Sequence, residues 1–511
     1  MPPQTLVEDN LPQLVVPPCA VASHPDTITH PGKLRRWLKE LPLADPAHLA
    51  GQVHRQLQLL IRDPVPGNQF QALLSAHHPL LQSLQQQVWD DITKRAGAHK
   101  PNMTLRNHVS QLMLEIACGH MRLINIRIAA AQTPQAHDLL HAALPLARLM
   151  QWDILQYNLM RPAVWRQLLH LFAISELYQL SGVGQASELA LDFDPNDTHS
   201  VFFSALALLL SDPYRLPPKP LRTLVTGLPA LASHLRATPS PVGRLTLPIS
   251  LSGEKPPLAF ARQPGKAAQL NHLELDTFLD VLQQQGLAGD DGLLASWLAD
   301  SLRTLADDRD LSEARRHPRQ ERSANYHFVT GLRVVHKRLR DIQAGHHVSD
   351  DAQHAGIIVE EDSSDGIGAL ANTCQQLDHS ISGARFRLPA GNPVPDIGDW
   401  VLFEADAGSG ANAGVGFVGR VRRHLRREDG SHDIGVEKLR GNIIPVGIGI
   451  SRTPALLNAN REHNLLQLIA DDGTFCQGSQ QTLHGSQTNY KVRYEELLEQ
   501  SAQQHIRLTL L

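Results

Sequence analysis

Cysteine is scarce. The chain has four in 511 residues, at 19, 118, 374 and 476, with no paired metal-ligand spacing among them. Reduced, partly buried thiols are the reading, and such sparse use fits a reducing compartment. Charge is also modest: 19% of residues are charged and the formal net charge is -4. That excludes global attraction to nucleic acid and leaves room only for a local basic site. Long apolar runs are missing. The longest, VFFSALALLL at 201–210, is far short of the about twenty residues that a membrane helix needs. The N-terminal stretch carries acids and prolines where a secretory signal needs a basic start and an apolar run. A cytoplasmic protein without a membrane span is expected. Catalytic signatures are lacking too: there is no nucleophile elbow, no HExxH and no GxxxxGK[ST] loop. Paired acids such as Asp307 and Asp308 are adjacent and do not face each other on a helix. No enzyme is predicted.

What is present is apolar residue in globular proportion, 42%, enough for several cores at roughly 150 residues per domain. The predicted fold class is multidomain α + β. Residues 1–32 are proline-rich and poorly periodic, a flexible arm. Residues 33–212 are rich in Leu, Gln and Ala and read as a helical domain. Trp165, Leu168, Leu169 and Phe172 keep the spacing of one helix face. Residues 213–312 begin proline-rich, where long helices are not expected, and end in a second helical region with Leu294, Leu298, Leu302 and Leu305 on one face.

Beyond 325 the grammar changes to short segments such as HFVTGLRVVHKRL, GARFRLP, DWVLFEAD and GFVGRVRRHL. They are bounded by Gly, Pro and Asp and predict a small antiparallel β domain over 313–450. An acidic stretch at 341–371 reads as an exposed insertion, and 451–511 as a β-rich extension.

Two short elements carry chemistry. Arg315, Arg316 and Arg319 stand together in RRHPR, where Pro318 discourages a continuing helix. The guanidinium is a rigid fork that grips phosphate, or guanine through O6 and N7. The same cluster could equally be a solvated patch closing a helix. The second element is Asp378-His379-Ser380-Ile381-Ser382-Gly383, followed by the alternating Ala384-Arg385-Phe386-Arg387-Leu388. Asp accepts from guanine N1 and N2, and a serine hydroxyl bonds phosphate or ribose. Gly383 would let the backbone turn or a ligand approach. Alone, this is also an ordinary turn before a strand.

Together, over about 313–440, the two elements resemble the PilZ domain family of cyclic di-GMP receptors. The family pattern is RxxxR on an N-terminal switch segment and [DN]xSxxG on a barrel. Arg315 and Arg319 match the first, with Arg316 as a frequent second arginine; Asp378, Ser380 and Gly383 match the second. Gly398-Asp399, Gly419-Arg420-Val421 and Ile434-Gly435-Val436-Glu437-Lys438-Leu439 come next in the family's order. The inter-motif gap is long, and Lys438-Leu439 stands where an aromatic is usual. The first departure touches access to the site or marks a partner surface, and the second touches the core more than the ligand. The resemblance implies a PilZ-like antiparallel β-barrel and a non-enzymatic receptor for this bacterial second messenger. The arginines would clamp the ligand, Asp378 and Ser380 would orient it, and no cofactor would be needed. Arg385, Arg420 and Arg422 are possible accessories. Closure of the arginine segment would re-orient helix 293–308 against the barrel, and the helical region would bind a protein partner. The alternative is a PilZ-like scaffold with weak or no nucleotide binding.

Other signals are set aside. Gly414-Val-Gly416-Phe-Val-Gly419 matches GxGxxG but lacks a βαβ context. Arg420, Arg422, Arg423, Arg426 and Arg427 form a second basic cluster, which reads as a solvated rim, an extension of the ligand's field, or a contact for nucleic acid or another acidic surface, with the acids at 360–365 as an intramolecular partner. The 27 histidines include His346-His347, His108 and His120, without a convergent pair in sequence. No metal is predicted.

Overall fold

The computed structural model describes residues 14–93, 102–250, 257–258, 271–287, 292–307, 320–343, 372–380, 382–405, 416–460, 465–486, 488–500 and 503–511. Two compact units divide the chain: Met1–Pro213 with Pro218–Ala314, and Tyr214–Pro217 with Arg315–Leu511. The fold is α + β and multidomain, with helices first and closed antiparallel barrels in the C-terminal part.

The first unit is built on α1 (Pro31–Glu40), α2 (Pro46–Arg62), α3 (Gly67–Thr93), α4 (Met103–Ala129), α5 (Ala136–Leu155), α6 (Pro162–Leu177), α7 (Thr198–Leu210) and α8 (Pro218–Leu231). Short polar caps set the helix starts. Asp45 accepts from the Ala47 and His48 amides, Asn102 from Leu105, and Asp197 from Ser200. Helix α5 is the axis, with every residue from Asp138 to Ile154 buried. The apolar run at 201–210 is α7, a buried core helix. Among the described residues no helix is long and apolar enough to cross a membrane. The face expected on α6 is inside: Trp165, Leu168, Leu169 and Phe172 are all buried, and the Phe172 ring stacks on Phe202 of α7 at 4.1 Å.

The proline-rich stretch departs from expectation, because α8 is a 14-residue helix. Its Pro218 and Pro220 lie in the first turn, where the missing amide has no intrahelical partner to lose, and Pro229 stands two residues before the last. After α8 comes a three-stranded sheet of β1 (Arg236–Thr238), β3 (Asn271–Glu274) and β2 (Thr246–Ile249), in that order. Helices α9 (Asp276–Gln285) and α10 (Leu293–Asp307) come next, the latter burying Leu294, Leu298, Leu302 and Leu305.

The second unit holds two closed six-stranded barrels. The first contains β4 (Gln320–Thr330), β5 (Asn372–His379), β6 (Gly383–Leu388), β7 (Trp400–Ala405), β8 (Phe417–Arg426) and β9 (His432–Lys438), in the order β4-β5-β6-β9-β8-β7. Alternation points aromatics inward. Phe386 stacks on Phe403 at 4.1 Å, Phe417 on Phe403 at 5.1 Å, and Tyr326 meets Phe386 edge-on at 5.5 Å.

The expected β-rich tail is a barrel of its own. Strands β10 (Asn442–Ile448), β11 (Thr453–Asn460), β12 (Leu465–Asp471), β13 (Gln480–His484), β14 (Asn489–Gln500) and β15 (Gln503–Leu510) close in the order β10-β11-β12-β15-β14-β13. Closure leaves no unpaired edge. It begins at Asn442, inside the segment read as the first β domain.

HFVTGLRVVHKRL is not one strand. Strand β4 ends at Thr330, Gly331 takes a φ of 91°, and α11 (Leu332–Gln343) begins directly after it. Leu332 and Val335 pack with Trp400, Leu402 and Val418 of the first barrel and Leu456 and Ile469 of the second. Arg338 fixes the helix to β7 with two bonds to Glu404, at 2.8 and 2.7 Å. The start of the expected insertion, Asp341–Gln343, therefore belongs to this helix; residues 344–371 lie outside the described residues.

Candidate functional site: the β5–β6 end of the first barrel

Strand register places the start of β4 beside the second sequence element. Strands β4 and β5 run antiparallel with Gln320 opposite His379 and Glu321 opposite Asp378. Gln320 is the residue directly after Arg319 in the chain. Arg315, Arg316 and Arg319 themselves lie outside the described residues, as do His346 and His347 and the acids at 360–365.

Asp378 is buried on β5, and its neighbour across the β5–β6 ladder is Arg385. The Arg385 Nε lies 3.0 Å from Asp378 Oδ2, on a guanidinium that is half exposed. The carboxylate is thus oriented by a neighbour that can itself turn to an anion. Ser380 closes the β5–β6 turn. Its amide donates to the Gly383 carbonyl at 2.7 Å, and the Gly383 amide donates back to Ser380 Oγ at 3.1 Å. His379, inside the motif, has a buried Nδ1 without a hydrogen-bond partner among the described residues.

Gly383 answers a packing need. A Cβ there would stand 2.8 Å from the Val436 carbonyl oxygen, a backbone atom of β9. Gly383→Ala should therefore destabilise the second unit by about 1–3 kcal/mol, the usual cost of overpacking, visible in denaturant unfolding without ligand. An unchanged midpoint would leave ligand approach as the reason for this glycine.

The accessory arginines take different places. Arg420 is buried, with Nε donating to the Gly398 carbonyl at 3.0 Å and its guanidinium 5.6 Å from the Trp400 ring. Arg422 Nε donates to Glu437 Oε2 at 2.7 Å. Strand β8 carries an irregularity between Val421 and Arg423 that interrupts its alternation. Farther along, Arg427 and Arg387 both bond Asp433, at 2.9 and 3.0 Å, so part of the second basic cluster is neutralised within the barrel. Gly416 and Gly419 serve packing: added Cβ atoms would meet the Phe403 carbonyl oxygen at 2.5 Å and Val436 Cγ1 at 2.4 Å. These glycines open strand β8 and lead into no helix.

Arg420 and Arg422 share a cavity of about 360 Å³ with Ser382, Lys438 and Arg440, and its far wall comes from the second barrel through Asn458 and His505. That volume falls in the range, about 300–1,000 Å³, of small-molecule sites. Four of these lining groups are cationic, and Glu437 is the acidic one beside them. Asp378 and Ser380 do not line it; Ser382 is the point where the motif and the cavity meet. Asn458 and His505 are contributions that motif reading could not supply, since they lie beyond the resembling segment.

Comparison with known families adds a separate observation. Residues 32–241 match the family described as "Cyclic-di-GMP receptor FimW, N-terminal domain". The match lies in the N-terminal half of the chain and does not cover the barrel motifs. No curated protein matches the chain.

Proposed function

We propose that this chain is a non-enzymatic receptor for cyclic di-GMP, with the ligand held at the β5–β6 end of the first, PilZ-like barrel. The observation that carries the reading is the β4–β5 register, which sets Gln320 and Glu321 against His379 and Asp378. On this proposal the arginine segment enters the barrel beside the Asp-x-Ser turn. The family match of the helical half, to the N-terminal domain of a cyclic di-GMP receptor, supports the same ligand independently.

In this reading Arg315, Arg316 and Arg319 grip phosphates and guanine edges. Asp378 accepts from guanine N1 and N2, and Ser380 and Ser382 meet the phosphate region. Arg385 leaves Asp378 for the ligand, while Arg420 and Arg422 add positive potential from the adjoining cavity. Nothing is cleaved. Signal transduction comes from closure of the arginine segment, which joins the helical unit to the barrel in sequence, and it works only if the ligand binds one arrangement better than the other. The helical unit would then carry the partner surface.

The Asp378–Arg385 ion pair favours one second reading, a scaffold whose acceptor is already occupied and which binds nucleotide weakly or not at all. Isothermal titration of the full chain with cyclic di-GMP decides between them. Saturable micromolar or tighter binding, with GTP and cyclic AMP silent, is expected. Absence of heat and of ligand retention at about 100 μM, a free energy weaker than roughly -5.5 kcal/mol, would overturn the receptor reading in favour of the scaffold.

A further inference from the structure

Helix α5 opens with His137-Asp138-Leu139-Leu140-His141, and around this first turn the helical unit gathers an unusual set of imidazoles. His78 comes from α3, His120 from α4, and His137 and His141 from α5. The His137 and His141 rings stack at 3.9 Å, His78 and His141 at 4.8 Å, and His78 meets His120 at 5.3 Å. His120 and Asp138 are fully buried, while His137 is 34% exposed and opens the cluster to solvent.

We propose that His120, His137 and Asp138 hold a divalent first-row transition-metal ion, zinc or iron, that ties α4 to the start of α5. One ligand atom from each lies within 4.8 Å of the others. His120 Nδ1 is 3.1 Å from Asp138 Oδ1, and His137 Nδ1 is 3.7 Å from the same oxygen. A tetrahedral ion with bonds of about 2.0–2.1 Å would set its ligand atoms about 3.3–3.4 Å apart, so the two measured separations bracket what such an ion needs. Two histidines and one carboxylate are the donor set of open sites, with room for water.

The unsatisfied atoms point the same way. Among the described residues, His137 Nδ1 is buried and makes no hydrogen bond, and neither does Asp138 Oδ2, which faces Arg127 Nε at 3.4 Å. A metal on Nδ1 of His137 and Oδ1 of Asp138 gives the first a partner and leaves the second to the arginine.

Proton placement around His120 argues further. Its Nε2 lies 3.1 Å from His78 Nε2, so one of the two must carry the proton. If His120 donates from Nδ1 to Asp138, its Nε2 must accept from His78. The bare His78 Nδ1 then faces the Glu188 carboxylate at 3.7 Å, acceptor against acceptor. A metal on His120 Nδ1 reverses the chain. His120 donates from Nε2 to His78, and His78 then presents its Nδ1 proton, rather than a bare nitrogen, to the Glu188 carboxylate. Such outer hydrogen bonds are what orient a ligating imidazole. His141 stays outside the set, because its Nδ1 donates to the His137 carbonyl at 2.8 Å and its Nε2 meets Ser187 Oγ at 3.2 Å.

The test uses the full chain, stripped with a chelator and then titrated with Zn²⁺, or with Fe²⁺ under anaerobic conditions, with elemental analysis after gel filtration. One equivalent should be retained, and thermal unfolding of the helical signal should move upward with free metal as mass action requires. The metal giving the larger shift identifies the ion. His137→Gln, at the half-exposed position, should weaken binding by at least about tenfold, with the metal-free melting temperature unchanged. His48→Gln, at a histidine outside the cluster, should bind as wild type. Failure of the wild-type chain to retain either metal would overturn the proposal. So would equal binding by the folded His137→Gln variant, which would assign the metal to other histidines. Asp138→Asn, close in size to the original, gives a second reading should His137→Gln fail to fold.

Discussion

Replacing Arg315 and Arg319 together by Ala is expected to weaken cyclic di-GMP binding by at least about 100-fold, measured by isothermal titration of the full chain. Each guanidinium would contribute charge-assisted hydrogen bonds worth about 1.5–3 kcal/mol. Losing two such groups removes about 3–6 kcal/mol, and about 1.4 kcal/mol is a factor of ten in affinity. Lysine at both positions should recover only part of the loss, because it restores charge without the planar fork. The salt dependence separates the two contributions: the lysine variant should lose affinity steeply with added salt, as a screened point-charge contact does. Binding that survives the double alanine change undiminished would take the ligand away from this segment. The cavity lined by Arg420, Arg422 and Arg440 would then be the next place to seek it.

How far the fold could be read depended on whether the signal was local. Short alternating segments disclosed the strands, and the periodicity of Trp165, Leu168, Leu169 and Phe172 disclosed a helix face, because both patterns are written within a few residues. Helix α11 was hidden by composition. Val334 and Val335 beside Phe328 and Val329 suggest β structure, and only the spacing of Leu332, Val335, Leu339 and Ile342, all at the shared core, shows the helical period. Closure of the second barrel was out of reach, since it rests on β10 meeting β13, which a register between distant strands decides.

The candidate site divides in the same way. Asp378, Ser380 and Gly383 were visible as a motif, yet the reason for Gly383 was not, because the atom it avoids belongs to Val436 on another strand. His120 looked isolated because its companions come from α3 and α5. The one local trace of that cluster was the four-residue spacing of His137 and His141, which places two imidazoles on one helix face. Lys438 and Leu439, which stand where the family resembled by this segment usually has an aromatic, also acquire a reason. Lys438 Nζ sits 4.8 Å from the Phe417 ring, and Leu439 packs against the core shared by α11 and both barrels.

The helical unit carries its own large expected effect. Arg148 on α5 is 2% exposed and Asp194, on the loop between α6 and α7, is 5% exposed. Arg148 Nη2 donates to Asp194 Oδ2 and Nη1 donates to Gln151 Oε1 at 3.0 Å, while the guanidinium lies 4.6 Å from the Phe193 ring and 5.4 Å from Trp89. The same Asp194 oxygen accepts from the Leu191 amide at 2.8 Å, so one carboxylate ties the loop both to itself and to the central helix. Burial already lowers the Arg148 pKa, with Asp194 as the charge that opposes the shift. Asp194→Ala would leave that cation buried and uncompensated, at a cost of about 3–5 kcal/mol. The helical transition followed by far-ultraviolet circular dichroism should fall by roughly 10 °C. Adding Arg148→Met should restore much of the loss, because it removes the orphaned charge and keeps the packing against Trp89 and Phe193. A single variant that melts with the wild type, or a double variant worse than the single, would mean that the loop is held by its apolar contacts alone.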